Sequence, residues 1–245
     1  MSPTLEAAGV ALAYRERGEG QPVLLVHGMA DDARSWDDVL EALSARARVI
    51  AYDRRGYGAS GAPDPYERTT VQEQAEDAAA LLRTLSAVPA LVGGRDLGAL
   101  VCLDLIRRHR ALVRAAVVIE PPLYPLVSGA NEALAEERLR LEEALRGGGP
   151  QLAVKEFLGG LRADERRLAR ALGAPAAFFA DYGGLASWPV SRRELRRLEV
   201  PLTVLTAADS SPLAVRAADA LAELVPGARR AHDRSPADAL AERLG

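Results

Sequence analysis

Lysine is all but missing from this chain, and cysteine, aromatic residues and long apolar runs are scarce. Lys155 is the single lysine, so arginine carries nearly all the positive charge. With the abundance of alanine, that marks a base-composition habit of the source genome and not a chemistry. One cysteine, Cys102, excludes an intramolecular disulfide and leaves nothing that points to an oxidising compartment. Only 4% of residues are aromatic. Residues Met1 to Glu6 lack the basic start and apolar core of a secretory signal, and no apolar run is long enough to span a bilayer. The expected setting is therefore cytoplasmic, away from membranes. An excess of one charge is missing too: 31 basic against 34 acidic residues leave −3, which offers no general attraction for nucleic acid or anionic lipid.

No cluster of histidine, cysteine and acid has metal-ligand spacing, and the glycines follow neither the Gly-x-Gly-x-x-Gly nor the Walker pattern. Neither a metal nor another cofactor is expected. The partner class that remains is a small-molecule substrate. Oligomeric state is not legible, and a homodimer stays open.

What is present suits one domain with a sizeable core: 245 residues, 49% of them hydrophobic and 27% charged with both signs mixed. Residues 5–17 read as a hairpin turning at Gly9. The continuous apolar runs at 22–26, 48–52, 90–92, 115–119 and 201–206 read as strands buried on both faces of a parallel sheet, with a last strand at 228–232. Between them, 70–87 has helical spacing, with Val71, Ala75, Ala78, Leu81, Leu82 and Leu85 on one face. Further helices are expected after Gly98 to about His109, from near Pro212, and from Pro236 to Leu244. Strand–helix alternation of this kind implies an α/β fold wound by right-handed crossovers. The alternation breaks from Pro121 to about Val200, where helical patterns at 131–146 and 151–158 flank Gly147-Gly148-Gly149-Pro150 and no strand is convincing. Phe178-Phe179 lies near a further turn. The expected organisation is a core of residues 1–120 and 201–245 with a helical cap, 121–200, inserted between two strands.

One motif carries chemistry. The strand at 90–92 runs into Gly93-Gly94-Arg95-Asp96-Leu97-Gly98 and then a helix, the context of a Gly-x-nucleophile-x-Gly elbow. The turn is so tight that its flanking positions need glycine, and it sets the central side chain at the C-terminal edge of the sheet, where ligands of open α/β sheets bind. Asp96 is the central residue. The bland alternative is a turn aspartate at a helix start. His27-Gly28-Met29 ends an earlier strand where an oxyanion loop belongs, so the backbone N–H groups of Met29 and Leu97 are the candidate oxyanion donors. An acid, Asp209, and a histidine, His232, follow later strands in the chain order nucleophile, acid, histidine. Glu120, at the end of the 115–119 strand, is the alternative acid. Of the other histidines, His27 shapes the oxyanion loop without needing to titrate, and His109 sits among Arg107, Arg108 and Arg110 as a solvated helix end.

From about residue 5 to the C-terminus the chain resembles the α/β-hydrolase superfamily: a mostly parallel sheet flanked by helices, with a helical cap. Aspartate in place of the usual elbow serine resembles the epoxide hydrolases and the haloalkane and fluoroacetate dehalogenases. That resemblance implies attack by Asp96 on carbon, an alkyl–enzyme ester, and hydrolysis of the ester by water that His232 activates. A carboxylate needs no base to make it a nucleophile towards a strained ring or a carbon–halogen bond. Haloalkane dehalogenases place tryptophan after the nucleophile and asparagine after the His-Gly pair, where this chain has Leu97 and Met29. Epoxide opening therefore ranks first and dehalogenation second, with a non-hydrolytic binding or cyclising role as the alternative from another class. Epoxide opening also needs a donor to the leaving oxygen, and the cap tyrosines Tyr124 and Tyr182 are the candidates. Ala30 stands where the family usually has proline, and Pro236 follows His232 after an unusually short interval. A cap poor in aromatic residues implies a pocket that need not be lined by stacked rings.

Overall fold

The apolar runs form the centre of one eight-stranded sheet in a computed structural model that describes residues 2–160, 164–185 and 188–244. The strands are β1 (Thr4–Ala7), β2 (Val10–Arg17), β3 (Pro22–Val26), β4 (Arg48–Tyr52), β5 (Ala90–Arg95), β6 (Val113–Ile119), β7 (Leu202–Thr206) and β8 (Arg229–His232). Their order is β1-β2-β4-β3-β5-β6-β7-β8. The β1–β2 hairpin and its β2–β4 junction are antiparallel, and the remaining pairs are parallel. The hairpin turns at Ala8 and Gly9, both at positive φ, as a tight two-residue connection requires.

The helices are α1 (Asp37–Leu43), α2 (Val71–Thr84), α3 (Leu97–Arg108), α4 (Ala130–Gly160), α5 (Glu165–Leu172), α6 (Pro175–Leu185), α7 (Arg192–Leu195), α8 (Pro212–Leu224) and α9 (Pro236–Leu244). Side chains alternate across the sheet, so β3 feeds two cores: Leu24 and Val26 pack with α2, α3 and α8, while Val23 and Leu25 pack with α1 and α9. The α2 start is specified locally, by a capping box in which Thr70 and Glu73 satisfy each other's backbone N–H groups.

Between β6 and β7 the described residues hold helices and no strand. α4 is interrupted at Gly149 (φ 75°, ψ −170°), immediately before Pro150, which cannot donate to the helix ladder. Phe178 and Phe179 lie inside α6 and not near a turn, because Pro175 starts that helix three residues earlier and Phe178 is fully buried against Phe157 and Tyr182. Among the described residues no helix is long and apolar enough to cross a membrane.

Candidate active site

Asp96 sits between β5 and α3 at φ 52°, ψ −123°, a conformation that costs a non-glycine residue on the order of 1–3 kcal/mol. Two close approaches hold it there. A Cβ on Gly94 would strike the Gly98 carbonyl and the Cys102 sulfur, and one on Gly98 would strike the carbonyls of Val26 and His27. The Asp96 N–H donates to the Ile119 carbonyl at 2.9 Å, which ties the elbow to β6. Its side chain makes no capping bond to α3, so the turn-and-cap explanation of this aspartate lacks its hydrogen bond.

The carboxylate instead turns towards the loop after β3. The Met29 N–H donates to Asp96 Oδ2 at 2.9 Å, and the Leu97 N–H, the first of α3, lies close enough to favour the charged carboxylate. Gly28 lies against it: a Cβ there would stand 3.1 Å from the Asp96 Cβ. The structure thus brings Gly28 and Met29 of the oxyanion loop against Asp96, and one carboxylate oxygen accepts from Met29. Burial pushes the Asp96 carboxyl above the ordinary aspartate range; the Arg167 guanidinium, the two N–H groups and Arg54 pull the other way without cancelling it.

His27 is fully buried, with Nδ1 2.8 Å from the Gly28 carbonyl and Nε2 accepting from the Arg54 N–H at 2.9 Å. Burial, then the Arg54 charge, hold its pKa well below the histidine norm. It is a neutral spacer in the loop.

Arg54 anchors that loop from beneath. Its guanidinium donates to the carbonyls of His27 (3.0 Å) and Gly28 (2.9 Å), to Gln74, and to the Asp181 carboxylate at 2.7 Å. Asp181 also accepts from the Tyr57 hydroxyl at 2.8 Å and from Gln74 at 2.8 Å. Arg54 and Asp181 are 1% and 0% exposed, so this is a buried ion pair joining the oxyanion loop to α6. Burial works against the Arg54 charge, but Asp181 outweighs it and raises the pKa. A second tie comes from α5: Arg167 donates to the Met29 carbonyl at 3.1 Å, fixing the peptide unit next to the one whose N–H holds Asp96.

Above Asp96 is a cavity of about 290 Å³ between the sheet edge and α4 and α6. Met29, Asp96, Tyr124, Glu137, Phe157 and Tyr182 are on its wall. Both tyrosine pKa values are raised, chiefly by burial, so both are phenols at neutral pH. The Tyr182 hydroxyl is a hydrogen-bonding neighbour of Glu137, and its ring stacks on Phe178 with centroids 6.1 Å apart. The wall is therefore more aromatic than the sparse composition implies: Tyr124, Phe157 and Tyr182 are on it, and Phe178 packs behind Phe157 and Tyr182. A larger groove of about 870 Å³, between the Asp31 loop and Arg95, Arg167 and Arg170, does not include Asp96.

Neither the candidate acids nor the histidine expected from chain order lines the Asp96 cavity among the described residues. His232 is the last residue of β8, exposed, with Nδ1 2.9 Å from the Thr206 hydroxyl. Among the described residues no hydrogen bond joins it to Asp209 or Glu120. Glu120 accepts a short hydrogen bond from the Ser210 hydroxyl. Asp209 is exposed and makes no hydrogen bond or ion pair among the described residues, and Ser211 caps α8 instead. The physical reason is the chain length after β8. That strand lies three positions from β5, roughly 14 Å at the usual strand spacing, beyond the reach of a histidine side chain. A long β8–α9 loop could carry the residue back, but α9 starts at Pro236, and the Asp233 N–H is still bonded to the Thr206 carbonyl.

Several side chains of this site carry no mark in the sequence. Arg54 follows the apolar run at 48–52, at a strand end beside the His27 loop, whereas Asp181 and Arg167 stand in no motif. Glu137 lies in the charged stretch Glu136-Glu137-Arg138, which reads as a solvated helix face.

An elbow of this geometry on a sheet of this order defines a class, and the comparison with known proteins agrees. Residues 21–142 match the family model described as the alpha/beta hydrolase fold, and the chain belongs to the α/β-hydrolase family. It is 31% identical over 230 residues to the uncharacterised hydrolase YraK of Bacillus subtilis, covering 90% of this chain and 83% of that one. Epoxide hydrolase A of Mycobacterium tuberculosis is 30% identical, over 78% of this chain and 66% of that protein. Among solved structures, a thermophilic esterase from Thermogutta terrifontis superposes with a TM-score of 0.79 at 25% identity, covering 99% of this chain and 95% of that one.

Proposed function

We propose that this protein opens a small, largely apolar epoxide through an alkyl ester on Asp96. The observation that carries the reading is the Asp96 carboxylate, with Oδ2 held by the Met29 N–H beneath a cavity that also presents the hydroxyl-bearing Tyr124 and Tyr182. The other carboxylate oxygen attacks a ring carbon. The carbon–oxygen bond of the ring breaks, its electron pair stays on oxygen, and a tyrosine hydroxyl supplies the proton. In the second half-reaction water adds to the acyl carbon, and the oxyanion forms where Met29 already donates and the Leu97 N–H is at hand. The likeness to an epoxide hydrolase agrees with this reading. Halide release is less well served: no tryptophan is on the wall of the Asp96 cavity among the described residues, and the Leu97 side chain is buried and apolar.

Single turnover in heavy-oxygen water tests the ester. Label is expected in the Asp96 carboxylate, read by peptide mass spectrometry, with diol and no halide as product. Turnover that leaves Asp96 unlabelled removes the ester mechanism.

The pH dependence has a definite sign. Only ionised Asp96 attacks, and burial raises its pKa, so the ester-forming rate should fall on acidification, starting above the pH at which a free aspartate, pKa about 3.9, protonates. Rapid quenching at a series of pH values reads this directly. A rate flat down to about pH 4 would contradict it.

The position of His232 favours a second reading, a non-hydrolytic binding or cyclising member in which Asp96 acts as general acid or base. Tight binding of an epoxide or its diol without turnover or adduct would favour it.

A further inference from the structure

Hydrolysis of an ester on Asp96 needs a base beside the cavity, and the residue that chain order nominates is not there. The described groups on the wall narrow the choice. Arg138 is always protonated, Tyr124 and Tyr182 are phenols with raised pKa values, and Asp96 is itself the esterified group. Glu137 is the one remaining group able to accept a proton. It projects from α4, half-buried, with the Tyr182 hydroxyl of α6 as its hydrogen-bonding neighbour.

We infer that Glu137 is the general base of the second half-reaction, replacing the histidine of the fold; this rests on the Asp96 ester reading. Its environment suits the role. Burial raises its pKa, against the opposing pull of Arg140 on its own helix and of Tyr182; the further push from the Asp96 charge ends once that carboxylate is esterified. A buried carboxylate with a raised pKa is a stronger base than an exposed one. Tyr124 and Arg138 complete the titratable and charged groups on this part of the wall.

The protons balance. Opening the ring leaves the ester, an alcohol on the former epoxide oxygen, and a tyrosinate. Glu137 takes a proton from the attacking water as its oxygen bonds to the acyl carbon. The tetrahedral oxyanion collapses, the carbon–oxygen bond to the alkyl group breaks, and the departing alkoxide takes that proton from Glu137. The acid proton left on Asp96 returns to the tyrosinate. Epoxide and water have become diol, with no co-reactant.

The test uses the full chain with styrene oxide, diol release and intact mass after acid quench. Glu137→Gln is nearly isosteric. It should form the adduct, which also reports a folded site, and slow diol release by about 10²–10⁴-fold, the usual contribution of general-base catalysis. The adduct, transient in the parent, should accumulate. Glu137→Asp should recover part of the rate, and the pH dependence of adduct breakdown seen in the parent should be lost in Glu137→Gln. Three results would overturn the inference. They are an adduct lifetime in Glu137→Gln equal to the parent's, accumulation of adduct in His232→Ala instead, and a parent that itself stalls at the adduct. A parent that gives neither adduct nor diol removes the ester reading, and the assignment of Glu137 with it.

Discussion

Asp96→Asn is expected to abolish epoxide turnover while leaving the fold intact. Asparagine keeps the shape of the elbow residue, and its carbonyl oxygen can still accept from the Met29 N–H that now bonds Oδ2 at 2.9 Å. It lacks the anionic oxygen that attacks carbon. Losses on removing a nucleophile are on the order of 10⁴-fold or more in kcat. Stability should move the other way. The site charges the ionised carboxylate a desolvation cost that its neighbours do not fully offset, as the raised pKa records, and a neutral amide escapes that cost. Diol formation and a thermal melt on the same sample read both effects. Residual turnover above about a tenth of the parent would show that Asp96 is not the nucleophile, since an amide cannot supply the attacking anionic oxygen.

Asp181→Ala is expected to be the most damaging single change to stability. It strands the Arg54 guanidinium, 1% exposed, and removes the acceptor of both Tyr57 and Gln74. Breaking a buried pair by deleting one partner costs about 3–5 kcal/mol. For a domain of this size that is a fall in Tm of roughly 6–20 °C. Replacing both partners separates structure from function. Arg54→Met with Asp181→Leu should recover much of the stability, because apolar pairs of similar volume often substitute for buried ion pairs. Activity should not return, because the bonds from Arg54 to the His27 and Gly28 carbonyls are what position the loop that carries Met29. A double variant that regains both would show that the pair has no positioning role. Melts and diol assays on the single and double variants decide it.

The parts that local chemistry specifies were readable before any coordinates. Five of the six parallel strands announced themselves as apolar runs because both faces of their sheet are covered. The elbow was readable because its glycines are imposed by backbone contacts within a few residues of Asp96, and by the passage of β3 beside it. The capping box of α2 and the glycine of the first hairpin are of the same kind. Glu137, Arg167 and Asp181 were not readable. Each is an ordinary charged residue on a helix, and only the packing of α4, α5 and α6 over the sheet edge turns it towards Asp96 or the oxyanion loop.

His232 shows the opposite failure. Chain order correctly put a histidine after an acid, and the spacing to Pro236 was unusually short. What that spacing meant depended on strand order: with β8 three positions from β5 and almost no loop after it, the imidazole stays on Thr206. By itself, then, the sequence determined the sheet, the elbow and the identity of its carboxylate, because these rest on contacts between near neighbours and on apolar burial. Tertiary structure alone decided which groups face that carboxylate. Their distances are set by strand order and by how the inserted helices dock, and no local pattern encodes either.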